Sequence, residues 1–327
     1  MVMLGLGLFS CSSQSASHQE GDNDNSDQQS EKLTTPVSTE KKTRQEATSD
    51  AVREKTPPYE IRIKNTNDSV RIEKLLQEGV ALPENENIPL FFAKKFLGKP
   101  YVGGTLDKDK EEGLVINTEQ LDCTTFVENV LALSMCTKKK QTSFADFCRA
   151  LVDVRYIGGE VAYTTRQHYF TIWIADNIKD GIIADIELPD PPMSAKRKPK
   201  VNYMTNHVAS YAMLNAHREW LPQIKAMEQQ VNDITFTYIP KEQLDKSMRY
   251  KEYIHDGDII GIVTNKEGLD ISHVGFAIWH NDGLHLLHAS SSNRNGKKVA
   301  DDPRTMFQYL KEQTSSVGIR VVRINER

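Results

Sequence analysis

The sequence predicts an α+β fold in which a helix that begins at a cysteine packs on an antiparallel sheet. Two observations carry this. Behind Asp122, Thr124 and Thr125, all good helix-start residues, Phe126, Val127, Val130, Leu131, Leu133 and Met135 follow Cys123 at helical spacing. Far downstream, Ile259 to Val263, Ile271 to Trp279 and Leu284 to Ser290 read as successive strands, set off by the turns Asp256-Gly257-Asp258 and Asn281-Asp282-Gly283. With 327 residues and 38% hydrophobic content, the chain can bury one sizeable core or two small ones.

In chain order, Met1 to Phe9 is apolar but too short to cross a bilayer as a helix, and no lysine or arginine precedes it. It ends in Leu8-Phe9-Ser10-Cys11, which resembles the end of a bacterial lipoprotein signal. The resemblance implies that residues 1–11 are a signal, that Cys11 is lipidated, and that the protein sits in the cell envelope on a membrane anchor. Residues 12–58 are polar and nearly free of large apolar side chains, so they read as a disordered tether ahead of a folded domain over 59–327. Asp68 to Gly79 predicts a helix ended by Gly79, and Ile88 to Leu97 a second with Pro89 in its first turn. Pro100-Tyr101-Val102-Gly103-Gly104 then offers a glycine turn and a hydroxyl on a rigid ring just upstream of Cys123.

The segment between the cysteine helix and His273 runs to about 140 residues, too long for a plain loop, so an α/β insertion is expected at about 140–255, forming one wall of a cleft. Within it Val161 to Ile174 reads as strand, Asn206 to Gln230 as helix and Ile234 to Ile239 as strand. Its basic run, Lys196-Arg197-Lys198-Pro199-Lys200, reads as a solvated loop. That run and a formal charge of −4 give no field for nucleic acid. Four irregularly spaced cysteines make neither a disulfide scaffold nor a Cys-x-x-Cys zinc site, although Cys136 and Cys148 have the option of pairing.

Cys123 lies in the first helical turn, where unpaired N–H groups and the helix dipole favour thiolate over thiol. His273 opens the second strand. Val274, Phe276 and Ile278 take one face of it, while His273, Gly275 and Ala277 take the other, leaving room there for the cysteine helix. A two-residue loop at Asn281-Asp282 sets Gly275 opposite His288 and puts His288 diagonal to His273; a three-residue loop turns His288 to the wrong face. A cysteine, a histidine and a polar residue orienting it make a papain-like constellation.

The order Pro-Tyr-x-x-Gly-Gly, Asp-Cys-x-x-Phe-Val, Ser-His-Val-Gly and x-x-His-Ala resembles the NlpC superfamily of papain-like cell-wall hydrolases, over about Phe91 to Ser292. Leu121 to Glu128 together with His168-Tyr169-Phe170 resembles one branch, N-acetylmuramoyl-L-alanine amidases first catalogued as a domain of unknown function. Thr124-Thr125 departs from the Ser-Gly that most of the superfamily carries after its cysteine. The resemblance implies Cys123 as nucleophile, His273 as base, His288 as the orienting residue and Tyr101 near the oxyanion. It implies Asp122 and Ser272 in the substrate cleft, with muropeptides as substrate, no cofactor and a monomer. Arg166, His168 and Tyr169 are the insertion's candidates for substrate contact, Arg166 through a bidentate hold on a carboxylate.

Cleavage of the D-Glu–diamino acid bond is the alternative within the superfamily. A non-catalytic wall-binding lipoprotein and a zinc hydrolase built from His280, His285 and His288 are rivals outside it. Strand alternation opposes the zinc reading, since His285 and His288 face opposite ways and His280 belongs to the turn, so no metal is expected.

Overall fold

In the computed structural model, residues 57–325 are described; the expected signal with Cys11, and the expected tether up to residue 56, lie outside them. The order is β1 (Ile61–Ile63), α1 (Asp68–Val80), α2 (Ile88–Lys95), β2 (Leu114–Ile116), α3 (Cys123–Lys138), α4 (Phe144–Arg155) and α5 (Phe170–Lys179). There follow β3 (Ile183–Asp185), β4 (Ala195–Arg197), α6 (Tyr203–Asn206), α7 (Ala212–Ala216), α8 (Leu221–Asp233) and β5 (Phe236–Pro240). The chain ends with β6 (Ile259–Thr264), β7 (Ile271–His280), β8 (Gly283–Ala289), β9 (Val299–Asp301), α9 (Met306–Glu312) and β10 (Ser316–Ile324).

The architecture is α+β, as expected. Among the described residues an antiparallel sheet runs β4-β5-β10-β6-β7-β8-β9, and β3 pairs with β10 beyond the end of β5. One face carries α1 to α5, with Phe126 of α3 edge-on to Phe276 of β7 at 5.4 Å. The other face packs Ile260, Ala277 and Leu286 against Met306, Tyr309 and Leu310 at α9. A satellite core around Tyr163, Tyr169, Met204 and Ile224 fills the insertion. No helix among the described residues is long and apolar enough to cross a membrane.

The start of α3 follows the expected chemistry. Asp122 accepts from the N–H groups of Thr124 and Thr125 at 3.1 and 2.8 Å, while the Thr125 hydroxyl takes the Asp122 N–H at 2.9 Å, so a capping box closes the first turn. The helix is buried on nearly every side rather than along one stripe. It tolerates Glu128 inside because Arg155 of α4 donates to it at 2.8 Å and to the Val115 carbonyl at 3.0 Å.

Several expectations need correction. Gly79 does not end α1; a Cβ there would lie 2.4 Å from the Thr137 hydroxyl and 2.6 Å from Phe92, so the glycine permits a close crossing of helices. Val161 to Ile174 is no strand, but a loop leading into α5; a short apolar run buried on all sides gives no period to separate helix from strand. The long helix over 206–230 is three pieces, because Tyr211 and His217 take extended or irregular backbone and Pro222 begins α8. The basic run is partly the edge strand β4, and Arg197 donates to the Thr264 carbonyl at 2.9 Å. Lysine on an exposed edge also discourages pairing with other chains.

Arg155→Ala leaves the Glu128 carboxylate buried without a partner and should lower unfolding free energy by about 3–5 kcal/mol in a denaturant titration. A loss below about 1 kcal/mol would show that this pair does not hold α3 to α4.

Candidate active site

The β7–β8 hairpin sets the site. Phe276 pairs with Leu287 and His280 with Gly283, which makes Asn281 and Asp282 the two-residue loop and, one step further along, puts Gly275 opposite His288. A Cβ on Gly275 would come within 2.8 Å of the His288 Cβ and 2.7 Å of the Leu287 carbonyl, so glycine lets the second imidazole lie against the strand. His273 Nε2 is 2.5 Å from His288 Nδ1, with the rings edge to face at 4.8 Å. The room beside His273 is thus used by His288 and Tyr309, whose rings lie 5.5 Å apart, and not by the cysteine helix. That helix packs on the Val274 and Phe276 face, correcting the sequence reading. Cys123 reaches β7 from there, its sulfur facing the backbone N–H of Val274, the residue next to His273.

The line of imidazoles ends on a residue the sequence reading missed. His288 Nε2 is 3.4 Å from Asp302 Oδ2. Asp302 is fully buried and accepts from Arg304 at 2.8 and 2.6 Å and from Asn295 at 2.7 Å. Burial alone would raise its pKa, but these donors hold the carboxyl well below the usual carboxylate range. Asn295 Nδ2 also stands 3.1 Å from His288 Nε2, but its two hydrogens go to Asp302 and Ser290, so His288 Nε2–H is left to face the ionised Asp302 and His288 Nδ1 to accept from His273 Nε2–H. The lone pair of His273 then sits on Nδ1, the tautomer a general base needs. The signal was the Asp302-Pro303 turn after a strand that pairs with β8, visible only once β9 is placed.

Burial reverses the electrostatics expected at Cys123. Desolvation, helped by the Asp122 charge, pushes the thiol up to about 12. The dipole of a helix start is worth about 1 kcal/mol or less, under one pKa unit, whereas full burial shifts a group by up to about 3–5 units. Desolvation, with the neighbouring His288 adding to it, also holds His273 well below its ordinary value. The resting pair is thiol and neutral imidazole, and the proton moves only as the thiol attacks.

The other candidates fall into two groups. Burial raises the Tyr101 pKa, with Cys123 and Asp122 next in effect, so its phenol stays protonated near the thiol. Ser272, His273 and Tyr309 line a cavity of about 340 Å³ with the Ser290 to Ser292 turn and Arg304. Arg166, His168 and Tyr169, in contrast, are buried inside the insertion. Arg166 is ion-paired with Asp107 and lies 3.7 Å from Glu112. His168 Nε2 meets the Tyr163 carbonyl at 2.7 Å, and Tyr169 donates to Glu228 at 2.7 Å. Cys136 and Cys148 are buried free thiols. Of the three histidines of the zinc rival, His288 faces the other way as strand alternation requires, but His280 belongs to β7, and its ring lies 4.3 Å from that of His285.

A buried thiol at a helix start, at the backbone of the strand that carries two imidazoles in line with a buried carboxylate, is an α+β arrangement that acyl transfer to sulfur can use. The chain belongs to the AmiA-like, N-acetylmuramoyl-L-alanine amidase-like family, whose model matches residues 91–319. It is similar to a solved N-acetylmuramoyl-L-alanine amidase from Bacteroides uniformis, at 34% identity and a TM-score of 0.67, over 76% of this chain and 99% of that one. A Bacteroides fragilis protein described as a candidate xylanase shares 37% identity and a TM-score of 0.66, over 72% and 100%. A Legionella pneumophila protein at 22% identity and a TM-score of 0.57, over 78% and 94%, shares the fold. No curated protein matches.

A general base at His273 would have to be neutral, and burial holds its pKa below the ordinary value of 6.5. A kcat/KM profile should therefore stay level as pH falls to 6.5 and decline only in more acid solution; an acid limb centred above 6.5 would contradict the relay. Asp302→Asn keeps the shape but loses the charge that sets the tautomer. It should lower kcat by on the order of 100-fold with KM little changed.

Proposed function

We propose that the protein is a peptidoglycan hydrolase of the papain-like NlpC type that cleaves the lactyl amide between N-acetylmuramic acid and L-Ala. The observation that carries this reading is the Cys123 thiol at the N–H of Val274, the residue next in the chain to His273, together with the His273, His288 and Asp302 line. Membership of the amidase-like family and the likeness to the Bacteroides uniformis amidase support the bond assignment.

In this reading His273 Nδ1 takes the thiol proton as sulfur attacks the lactyl carbonyl carbon, and the oxyanion forms near the Tyr101 hydroxyl. The C–N bond then breaks, His273 returns the proton to the leaving L-Ala nitrogen, and a muramyl thioester remains. Water activated by the same imidazole hydrolyses the thioester and regenerates the thiol. Asp122 caps the helix through Oδ1, which takes the Thr124 and Thr125 N–H groups and the Thr125 hydroxyl, and its Oδ2 is the oxygen that would accept an amide N–H of the substrate. Glycoside cleavage, suggested by the xylanase description of one neighbour, calls for two carboxyl groups flanking the bond. Asp302, the carboxylate nearest the relay, is fully buried and held by Arg304 and Asn295.

Digestion of purified muropeptides followed by mass spectrometry tests the bond. Intact stem peptides and peptide-free muropeptide sugars are the expected products. L-Ala-D-Glu dipeptide released from a free stem peptide would instead assign the endopeptidase activity. Cys123→Ser should fold and lose hydrolysis, while chelator leaves the wild-type rate unchanged; a wild-type rate in the variant would end the thiol mechanism. We also propose anchoring in the envelope through Cys11. Cys11→Ser should move the protein from the membrane to the soluble fraction, and an unchanged distribution would count against the anchor.

A further inference from the structure

The far end of the β7–β8 hairpin holds imidazoles and carboxylates that the chemistry of Cys123 leaves unused. His280 closes β7. Ile278 pairs with His285, and Leu287 pairs with Asp301 of β9, so His280, His285 and Asp301 all emerge on the face that carries Phe276. His288 and Asp302 belong to the opposite face. The adjacent residues Asp301 and Asp302 therefore serve two separate clusters, one on each side of the sheet.

The geometry of the first cluster is that of a ligand set. One donor atom from each of His280, His285 and Asp301 lies within 4.8 Å of the others. His280 Nε2 stands 3.0 Å from the Asp301 carboxylate. His285 is buried, and its Nδ1–H donates to the backbone carbonyl of Asp302 at 2.9 Å. That bond fixes the ring and turns the Nε2 lone pair into the cluster, the arrangement that orients metal-bound imidazoles. Asp282, in the hairpin turn, brings a carboxylate oxygen to 2.9 Å from His285 Nε2. His280 meets its carboxylate as an ordinary Nε2–H donor, whereas His285, whose Nδ1–H is already donated to the Asp302 carbonyl, can face the Asp282 carboxylate through Nε2 only with a second proton on the ring or an ion between them. Nitrogen and oxygen ligands at about 2.0–2.2 Å from one zinc stand roughly 3.3 Å apart, close to the separations seen here.

We propose that His280, His285 and Asp301 form a site for a divalent transition metal of the zinc class. Imidazole donors favour zinc over calcium or magnesium, which take oxygen ligands. Three side-chain ligands leave the fourth position of a tetrahedral zinc to water, and the site lies across the sheet from the His273 relay. Bound metal ties the hairpin end to β9, whose next residue is Asp302.

The test titrates the full chain with Co²⁺, follows its visible absorption, and then adds Zn²⁺ in competition. The expected result is one Co²⁺ per chain with tetrahedral absorption, displaced by Zn²⁺, together with a Tm that rises by roughly 5 °C with Zn²⁺ and falls back on adding chelator. The double variant His280→Ala and Asp301→Asn changes two partly exposed side chains and should bind at least 100-fold more weakly while keeping the chelated wild-type Tm within a few degrees. No saturable Co²⁺ uptake, or uptake that the double variant retains, overturns the site. If the double variant fails to fold, His280→Ala alone provides the same comparison.

Discussion

The relay depends on a buried carboxylate that must stay ionised. Asp302 has no exposure to water, and an ion in that position is tolerated only because its oxygens are bonded to Arg304, Asn295 and His288. The same bonds fix direction. A negative charge at this end orders the protons on His288 and His273 so that the free lone pair points away from Asp302. Arg304 also lies 4.8 Å from the Tyr309 ring, which in turn stacks on His273, so the clamp on the carboxylate and the wall beside the base are one packed unit.

That unit rests on the register of a single hairpin. A two-residue turn places His288 diagonal to His273, and a slip of one residue would send His288 to the helix face and leave no histidine opposite Gly275. Gly275 guards the same geometry, since any larger residue would press on the His288 Cβ. The thiol arrives separately, on a helix capped by Asp122 and buried almost all round. Its packing partner is the Phe276 face, so the thiol and the imidazoles approach β7 from opposite sides, the thiol at the backbone of Val274 beside His273 in the chain.

Burial decides the chemistry as much as position does. A helix start alone would favour the thiolate by less than about one pKa unit. Packed under Phe126, Phe276 and the strand backbone, the thiol keeps its proton and the imidazole stays neutral. Such a pair is uncharged at rest and develops charge only as bonds change, when fixed donors can act on it.

The sequence by itself determined the parts that are local. The helix at Cys123 with its cap, the strands carrying His273 and His288, and their diagonal placement all follow from spacing, capping chemistry and a two-residue turn, which act over a few residues. Tertiary structure alone decided the rest. Asp302 joins the relay through β9, and β10 runs through the middle of the sheet from the far end of the chain. Arg166, His168 and Tyr169 turned inward to partners up to 59 residues away. The ionisation of Cys123, the face on which its helix packs, and the meeting of His280 with His285 and Asp301 likewise belong to the folded molecule. Desolvation and long-range contact depend on which surfaces meet, and no spacing along the chain encodes that.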